Sequence, residues 1–508
     1  MGSIRNENHD LSSIEHDYIS IYECNPAHVF DHQFPLQSRM IRDEDLSSRI
    51  TDAYQGNSSD RLIKHKIVKA SVCIVFIMCA VCCSITTAVL LTQMKQHYPK
   101  KYDGSVGDEF ILAFFNIGGM SANALYITSM HHGKCIINSQ NIHSSIFVSP
   151  NTTSIYRFDN SQYLTESKSR KGVYILCNTK VSITAYSKIN SKRAAFLLLP
   201  LQMLGKEYVV PSYMSTSDTY GHSSMFAVVA VHSDTLVNIN IRSSSKRNVN
   251  FDNKGYLNES KIFINMTYLD TIEISEYKGD LSGTYINSSK PVAVISGHTC
   301  VFMRNSYCGR LMEMIIASKD FSKRFIIPKL ERPKGAKLRA YAYVKTDIVC
   351  TYLNKSNISF SLHPTDFLEL DYENLTTVRA TENIYIQLYK RLFGGASMTT
   401  VPGINQYLAF YMFFVPYGYQ YNYLSIIIRS DGIKGIRINN KDIETLQNRT
   451  FVLIGIQYTT FVYRIFSGRH TAEQIQNIPF GLFVFAENHS VNFGYLAGMS
   501  MLSFNGTG

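Results

Sequence analysis

YILCNTKVSITAYS, residues 174–187, is the stretch on which the fold turns, because its pattern returns three times. YINSSKPVAVISGH follows at 285–298, VRATENIYIQLYK at 378–390 and AEQIQNIPFGLFVFA at 472–486. Each is a run of Val, Ile, Tyr, Phe and Thr interrupted by small polar residues, the pattern of a strand. Anchored on Val181, Val292, Ile384 and Phe480, the copies stand 111, 92 and 96 residues apart.

Two further elements precede each copy in the same order. A lead strand comes first: DEFILAFF near Phe110, KEYVVPSY near Tyr208, KRFIIPKL near Phe325 and QYLAFYMFFVP near Phe413. A strand pair with a small polar turn comes second: ALYITSMHHGKCIIN, FAVVAVHSDTLVNIN, RAYAYVKTDIVCTYLN and LSIIIRSDGIKGIRINN. No amphipathic helix of three or more turns stands out. The result is four units of about 100 residues, the usual size of a β-sandwich. The expected fold class is all-β: tandem β-sandwich-like repeats over 107–205, 206–322, 323–405 and 406–505. A large β-propeller is the alternative closure of the same strands.

Upstream, Ala70 to Thr92 reads ASVCIVFIMCAVCCSITTAVLLT, without charge or proline. At 1.5 Å per residue such a helix spans the roughly 30 Å hydrocarbon core of a bilayer. It lies too far from the N-terminus for a cleaved signal peptide. The chain therefore divides into a polar tail at 1–66, a transmembrane signal-anchor helix at 67–94, a stalk at 95–106 and an exterior domain at 107–505. The tail lacks apolar periodicity and is expected to be disordered. Tyr18-Ile19-Ser20-Ile21 has the shape of a tyrosine-based sorting signal, a pattern common by chance.

Arg61, Lys64, Lys66 and Lys69 before the run, against Lys95, Lys100 and Lys101 after it, give only a weak orientation. Glycosylation acceptors carry more weight. The pattern N-x-S/T recurs after the run at Asn151, Asn258, Asn265, Asn287, Asn354, Asn357, Asn374, Asn448, Asn488 and Asn505, but before it only at Asn57. A single-pass type II arrangement in the cell membrane follows, with the C-terminal domain extracellular.

Cysteines agree with that placement. Cys73, Cys79, Cys82 and Cys83 lie in the apolar run, and Cys24 in the tail. Cys135, Cys177, Cys300, Cys308 and Cys350 lie in the exterior segment, where disulfides persist. Cys300 with Cys308 is the best local pair, Cys135 with Cys177 the next, and Cys350 is left over. Residues 1–69 carry net charge −3 and the remainder +14, within a chain total of +11. A basic exterior suits anionic partners, although an ordinary solvated surface has the same composition. No Lys/Arg block with interleaved aromatics suggests nucleic acid.

The exterior segments resemble the N-terminal domain family of IgGFc-binding proteins, in a membrane-anchored, invertebrate-type form. The strongest stretch is SSKPVAVISGHTCVFMRNSYCGRLMEMIIASKDFSKRFIIPKL, residues 288–330, with a Pro-Val strand, Ser-Gly-His, paired cysteines and the acidic Glu313. GDEFILAFF, SMTTVPGINQYL, GIKGIRINNKDI and HTAEQIQNIPFGLFVF follow the family order across about 107–500. The chain departs from the pattern in having no tryptophan, and no von Willebrand D-type cysteine-rich modules follow. The resemblance implies an adhesion or recognition domain, with a protein or glycan ligand that includes an immunoglobulin-like one as a candidate.

Enzymatic signatures are sparse. No exterior Asp-x-Asp, HExxH, GxSxG or phosphate-binding glycine loop occurs. His131 and His132, if adjacent on a strand, point to opposite faces. His298 beside Cys300 reads as structural. No catalytic, metal or cofactor residue is expected. The expected function is a cell-surface recognition glycoprotein; a structural coat without a specific ligand is the alternative, and a membrane-anchored lumenal enzyme the weaker one.

Overall fold

The computed structural model describes Met78 and residues 104–501, except 116–120, 159–162, 165–166, 191, 216–221, 246–247, 304–307, 355, 393–394, 445–447 and 489–491. The apolar run at Ala70–Thr92 lies outside the described residues apart from Met78, which is helical and exposed. Among the described residues no helix is long and apolar enough to cross a membrane. Leu91–Gly508 forms one of two contact units, and the description concerns it alone.

The strands fall into four groups, here modules I to IV. Module I holds β1 (Gly107–Leu112), β2 (Ser121–Ser129), β3 (Gly133–Asn138), β4 (His143–Val148), β5 (Thr153–Phe158), β6 (Val173–Ile189) and β7 (Lys192–Leu198). Module II holds β8 (Gly205–Val209), β9 (Ser223–Ala230), β10 (Thr235–Asn240), β11 (Val249–Phe251), β12 (Lys254–Tyr256), β13 (Lys261–Met266), β14 (Thr271–Tyr277), β15 (Tyr285–Val301) and β16 (Gly309–Met314). Module III holds β17 (Ser322–Ile326), β18 (Lys337–Ala342), β19 (Thr346–Tyr352), β20 (Asn357–Leu362), β21 (Phe367–Asp371), β22 (Leu375–Leu392) and β23 (Gly395–Val401). Module IV holds β24 (Phe410–Val415), β25 (Tyr421–Arg429), β26 (Ile436–Ile438), β27 (Lys441–Asp442), β28 (Asn448–Leu453), β29 (Ile456–Arg464), β30 (Gly468–Gln474), β31 (Phe480–Glu487) and β32 (Asn492–Leu496).

In modules I to III one long strand serves both layers. β6 pairs first with β1 and β3, then with β2 and β7. β15 does the same with β8 and β10, then β9 and β16. β22 repeats it with β17 and β19, then β18 and β23. The register slips within each lead-strand pairing: Glu109 faces Leu176 but Gly107 faces Val181, and Glu207 faces Asn287 but Gly205 faces Val292. In module III Arg324 faces Arg379 but Ser322 faces Ile384. Extra residues on the long strand make a bulge that turns it from one layer to the other. Each of these modules is therefore a single curled sheet, where the sequence pattern suggested two separate sheets of a sandwich.

Module IV keeps the pairings but cuts the strand. β30 pairs with β24 and β26, and β31 with β25 and β32. Between them lie Asn477, at φ 58°, and Pro479, which cannot donate to a ladder. Leu408 bridges Phe480 across the cut. Val181, Val292, Ile384 and Phe480 thus occupy one structural position.

The last strand of each module is buried between neighbours. β7 packs on β16, β16 on β23, β23 on β32 and β32 on β7, a closed ring. Every residue of β16, β23 and β32 is buried, which their mixed sequences GRLMEM, GASMTTV and NFGYL do not advertise. Closure is clasped by Ser105 N–H donating to Met499 O at 2.8 Å and Met499 N–H donating to Ser105 Oγ at 3.0 Å. Gly104, at φ +125°, allows Met499 O to approach where a Cβ would sit.

Candidate recognition face

Four hairpins join the long strands to the ring strands, and their bases gather at one end of it. They run between Ile189 and Lys192, Val301 and Gly309, Leu392 and Gly395, and Glu487 and Asn492. Gly309 lies so close to Ala396 that an added Cβ would meet its backbone N at 1.8 Å. Asn492 Nδ2 donates to Gly395 O at 3.0 Å. The disulfide Cys300–Cys308 closes the base of the second hairpin. His298 is buried beside it, its Nδ1 accepting from Cys300 N–H at 3.0 Å, a structural role. His222 approaches both sulfurs, but these are bonded to each other.

The hairpins are basic. Residues 186–193, 299–310 and 389–396 contain seven Lys or Arg and no Asp or Glu. Lys188 stands directly across from Arg193, a like-charge pairing that costs stability in a sheet. Lys188 is exposed, and Lys192, Arg193 and Arg391 are half-buried. Arg332, on the neighbouring loop, stacks over Tyr421 at 4.8 Å. The fourth hairpin begins at Glu487, which is buried and consumed by Lys390, with Arg332 at 3.7 Å. Sequence reasoning missed this face because the cations are scattered over some 200 residues of chain and only the ring assembles them.

Buried cations also mark the junctions. Between modules II and III, Arg339 bonds Asp280 at 2.7 Å and Glu369 at 2.9 Å, and lies over Tyr213 at 4.3 Å. Burial opposes its charge most strongly, but the Asp280 carboxylate together with Tyr341 and Tyr389 outweighs it and holds the guanidinium protonated. Between III and IV, Lys390 contacts Glu487 and donates to Tyr423 Oη at 2.5 Å. Glu313, on β16, is fully enclosed and its Oε2 accepts from Thr400 N–H at 3.3 Å on β23. Its place in the ring makes it a packing residue.

The other residues singled out from sequence are dispersed. Cys135 is joined to Cys177 across β3 and β6. Cys350 is free and buried on β19, and burial pushes its thiol up to about 12. His131 and His132 lie in the exposed β2–β3 turn, where alternation of strand faces does not apply; the strand expectation was wrong for them. Asn151, Asn258, Asn265, Asn354, Asn357, Asn374 and Asn448 are exposed, whereas Asn287 and Asn488 are half-buried. Asn287 Nδ2 is engaged by Glu207 at 3.2 Å. Asn505 falls outside the described residues.

By class the described residues form an all-β ring of curled sheets that gathers hairpins at one end. The chain belongs to the family described as IgGFc binding protein, whose family model matches residues 194–486. It is 23% identical over 332 residues to the IgGFc-binding protein of Homo sapiens, covering 63% of this chain and 6% of that protein. The aligned part is thus a small fraction of the human relative.

Proposed function

We propose that this chain is an extracellular recognition module that binds an acidic protein or glycan surface through the hairpin end of its ring. The observation that carries this reading is the group of accessible cations Lys188, Lys192, Arg193 and Arg391 on the first and third hairpins, whose segments contain no Asp or Glu. A surface of one sign raises the encounter rate with an anionic partner and selects against cationic ones. The family supports recognition of a protein ligand, and the Fc portion of IgG is the first probe its name suggests. The apolar run at Ala70–Thr92 would hold the module to the membrane as a type II anchor, with exposed sequons carrying glycans.

The test is direct binding of the soluble segment 102–508 to IgG Fc and to a glycan array containing sialylated and sulfated members. Micromolar or tighter binding that weakens with salt, and falls at least tenfold in Lys188→Glu/Arg391→Glu, is expected. Absence of any binding at micromolar concentration would favour a coat without a specific ligand.

A further inference from the structure

Two aromatic rings stand in solvent beside the hairpin face. Phe466 is 88% exposed, the most open large apolar side chain among the described residues, and Tyr417 is 68% exposed. Val415 faces Gly468 at the end of the β24–β30 ladder, and the rings lie two residues beyond that pair, one on each strand's continuation. The loop 416–420 runs on into Tyr421, which faces Glu487 at the start of the fourth hairpin. Ile465 N–H donates to Asn422 O at 3.1 Å and brings the loop that carries Phe466 to the same end.

Neither position is loose. Tyr417 meets Phe414 edge-on at 5.5 Å between centroids, and Phe414 stacks on Tyr126 at 4.4 Å. His470 Nδ1 accepts from Asn439 Nδ2 at 2.9 Å, so its Nε2 carries the proton and donates to Phe466 O at 2.8 Å. A guanidinium lies over each of the next two alternate tyrosines, Arg193 over Tyr419 at 5.3 Å and Arg332 over Tyr421 at 4.8 Å. Residues 415–422 and 465–468 carry no charge. Of the carboxylates at this end, Glu331 is paired with Arg464 at 2.9 Å and Glu487 with Lys390.

We propose that Tyr417 and Phe466 form the stacking platform of a sugar subsite, which makes the ligand of the hairpin face an acidic oligosaccharide. The inference rests on the reading of that face as anion-binding. A pyranose has an apolar C–H face that packs on an aromatic ring and a polar rim that does not. Its carboxylate or sulfate pairs with the guanidiniums of Arg193 and Arg332, which flank the loop. A protein partner needs roughly 800 Å² of surface around a packed apolar centre. Two rings flanked by Gly418, Gln420 and Ser467 are scaled instead to a short stretch of sugar. The Tyr417 ring and the Phe466 backbone are already fixed, so little freedom is lost when a sugar covers them.

The test compares detergent-solubilised full-length protein with its Tyr417→Ala/Phe466→Ala variant. Affinity is measured for sialylated and sulfated oligosaccharides and for poly-glutamate, an anion without a pyranose. Wild type should bind both. The variant should lose about tenfold or more toward the oligosaccharides, change less than about twofold toward poly-glutamate, and melt with wild type. Tyr417→Phe, which keeps the ring, should bind both as wild type does. Equal oligosaccharide affinity in wild type and the double variant overturns the platform while leaving the hairpin face intact. So does an equal loss toward both anions, or wild-type binding of poly-glutamate or IgG Fc without any acidic oligosaccharide. No binding of either anion by wild type overturns the hairpin reading and this inference together.

Discussion

Glu313 shows how a residue that looks chemical in sequence becomes structural in the ring. Burial raises its carboxyl well above the ordinary value of 4.5, and the Thr400 N–H only partly opposes this. The folded state then keeps a proton that the unfolded chain releases near 4.5. Its stabilising contribution is full below that pH and is lost as pH rises toward the folded value. Glu313→Gln should therefore be more stable than wild type at pH 7.4, with a flatter stability profile from about pH 5 upward; urea unfolding at several pH values checks this. At Lys390 the sign differs, because burial lowers its pKa well below the ordinary value against the opposing Glu331 carboxylate, while its ammonium contacts Glu487. Lys390→Met leaves that carboxylate buried with only the longer Arg332 contact, and should cost about 3–5 kcal/mol in the same assay. Ile454 sits at φ 50° in the turn between β28 and β29, followed by Gly455 at φ 72°. A β-branched residue is disfavoured there, whereas Asn-Gly is the preferred pair for such a turn. Ile454→Asn should raise stability by about 1 kcal/mol, read as a higher melting temperature.

At the scale of elements, the long strands were legible and the ring strands were not. Val181, Val292, Ile384 and Phe480 announce themselves by β-branched and aromatic runs; the first three face the first residue of a lead strand across its register slip, and Phe480 bridges Leu408. GASMTTV and NFGYL carry too little apolar content to read as buried strands, since small residues there are selected for close approach between modules. The curl of modules I to III was hidden for a related reason: alternation in sequence cannot distinguish two strands from one strand that bends at a bulge. The shared register also makes a prediction. Cys135–Cys177 occupies the pair one step beyond the Glu109–Leu176 alignment, and the corresponding pair in module II is Val237–Ser288. Val237→Cys/Ser288→Cys should form a disulfide on oxidative folding, detected by non-reducing peptide mapping. Two free thiols in the folded variant would show that the modules are not equivalent in register. Cys350, two residues from the matching Ile348 on β19, has no cysteine opposite it; Val378 stands there. It should resist alkylation until the protein is unfolded.

At the scale of the molecule, the ring turns four marginal curled sheets into one body and brings together what the chain keeps apart. The clasp of Ser105 on Met499 and the packing of β32 on β7 make the last module a neighbour of the first. Cations on the hairpins near residues 190 and 392 become one face only through that closure. A basic exterior was visible in the net charge, but composition could not distinguish a diffuse surface from a gathered one. The account is tested most directly by binding of segment 102–508 to IgG Fc and to acidic glycans, measured beside Lys188→Glu/Arg391→Glu. It predicts salt-sensitive binding at micromolar concentration or below that drops at least tenfold in the variant. Binding unchanged by the charge reversal, or no binding by the wild-type segment, would contradict it.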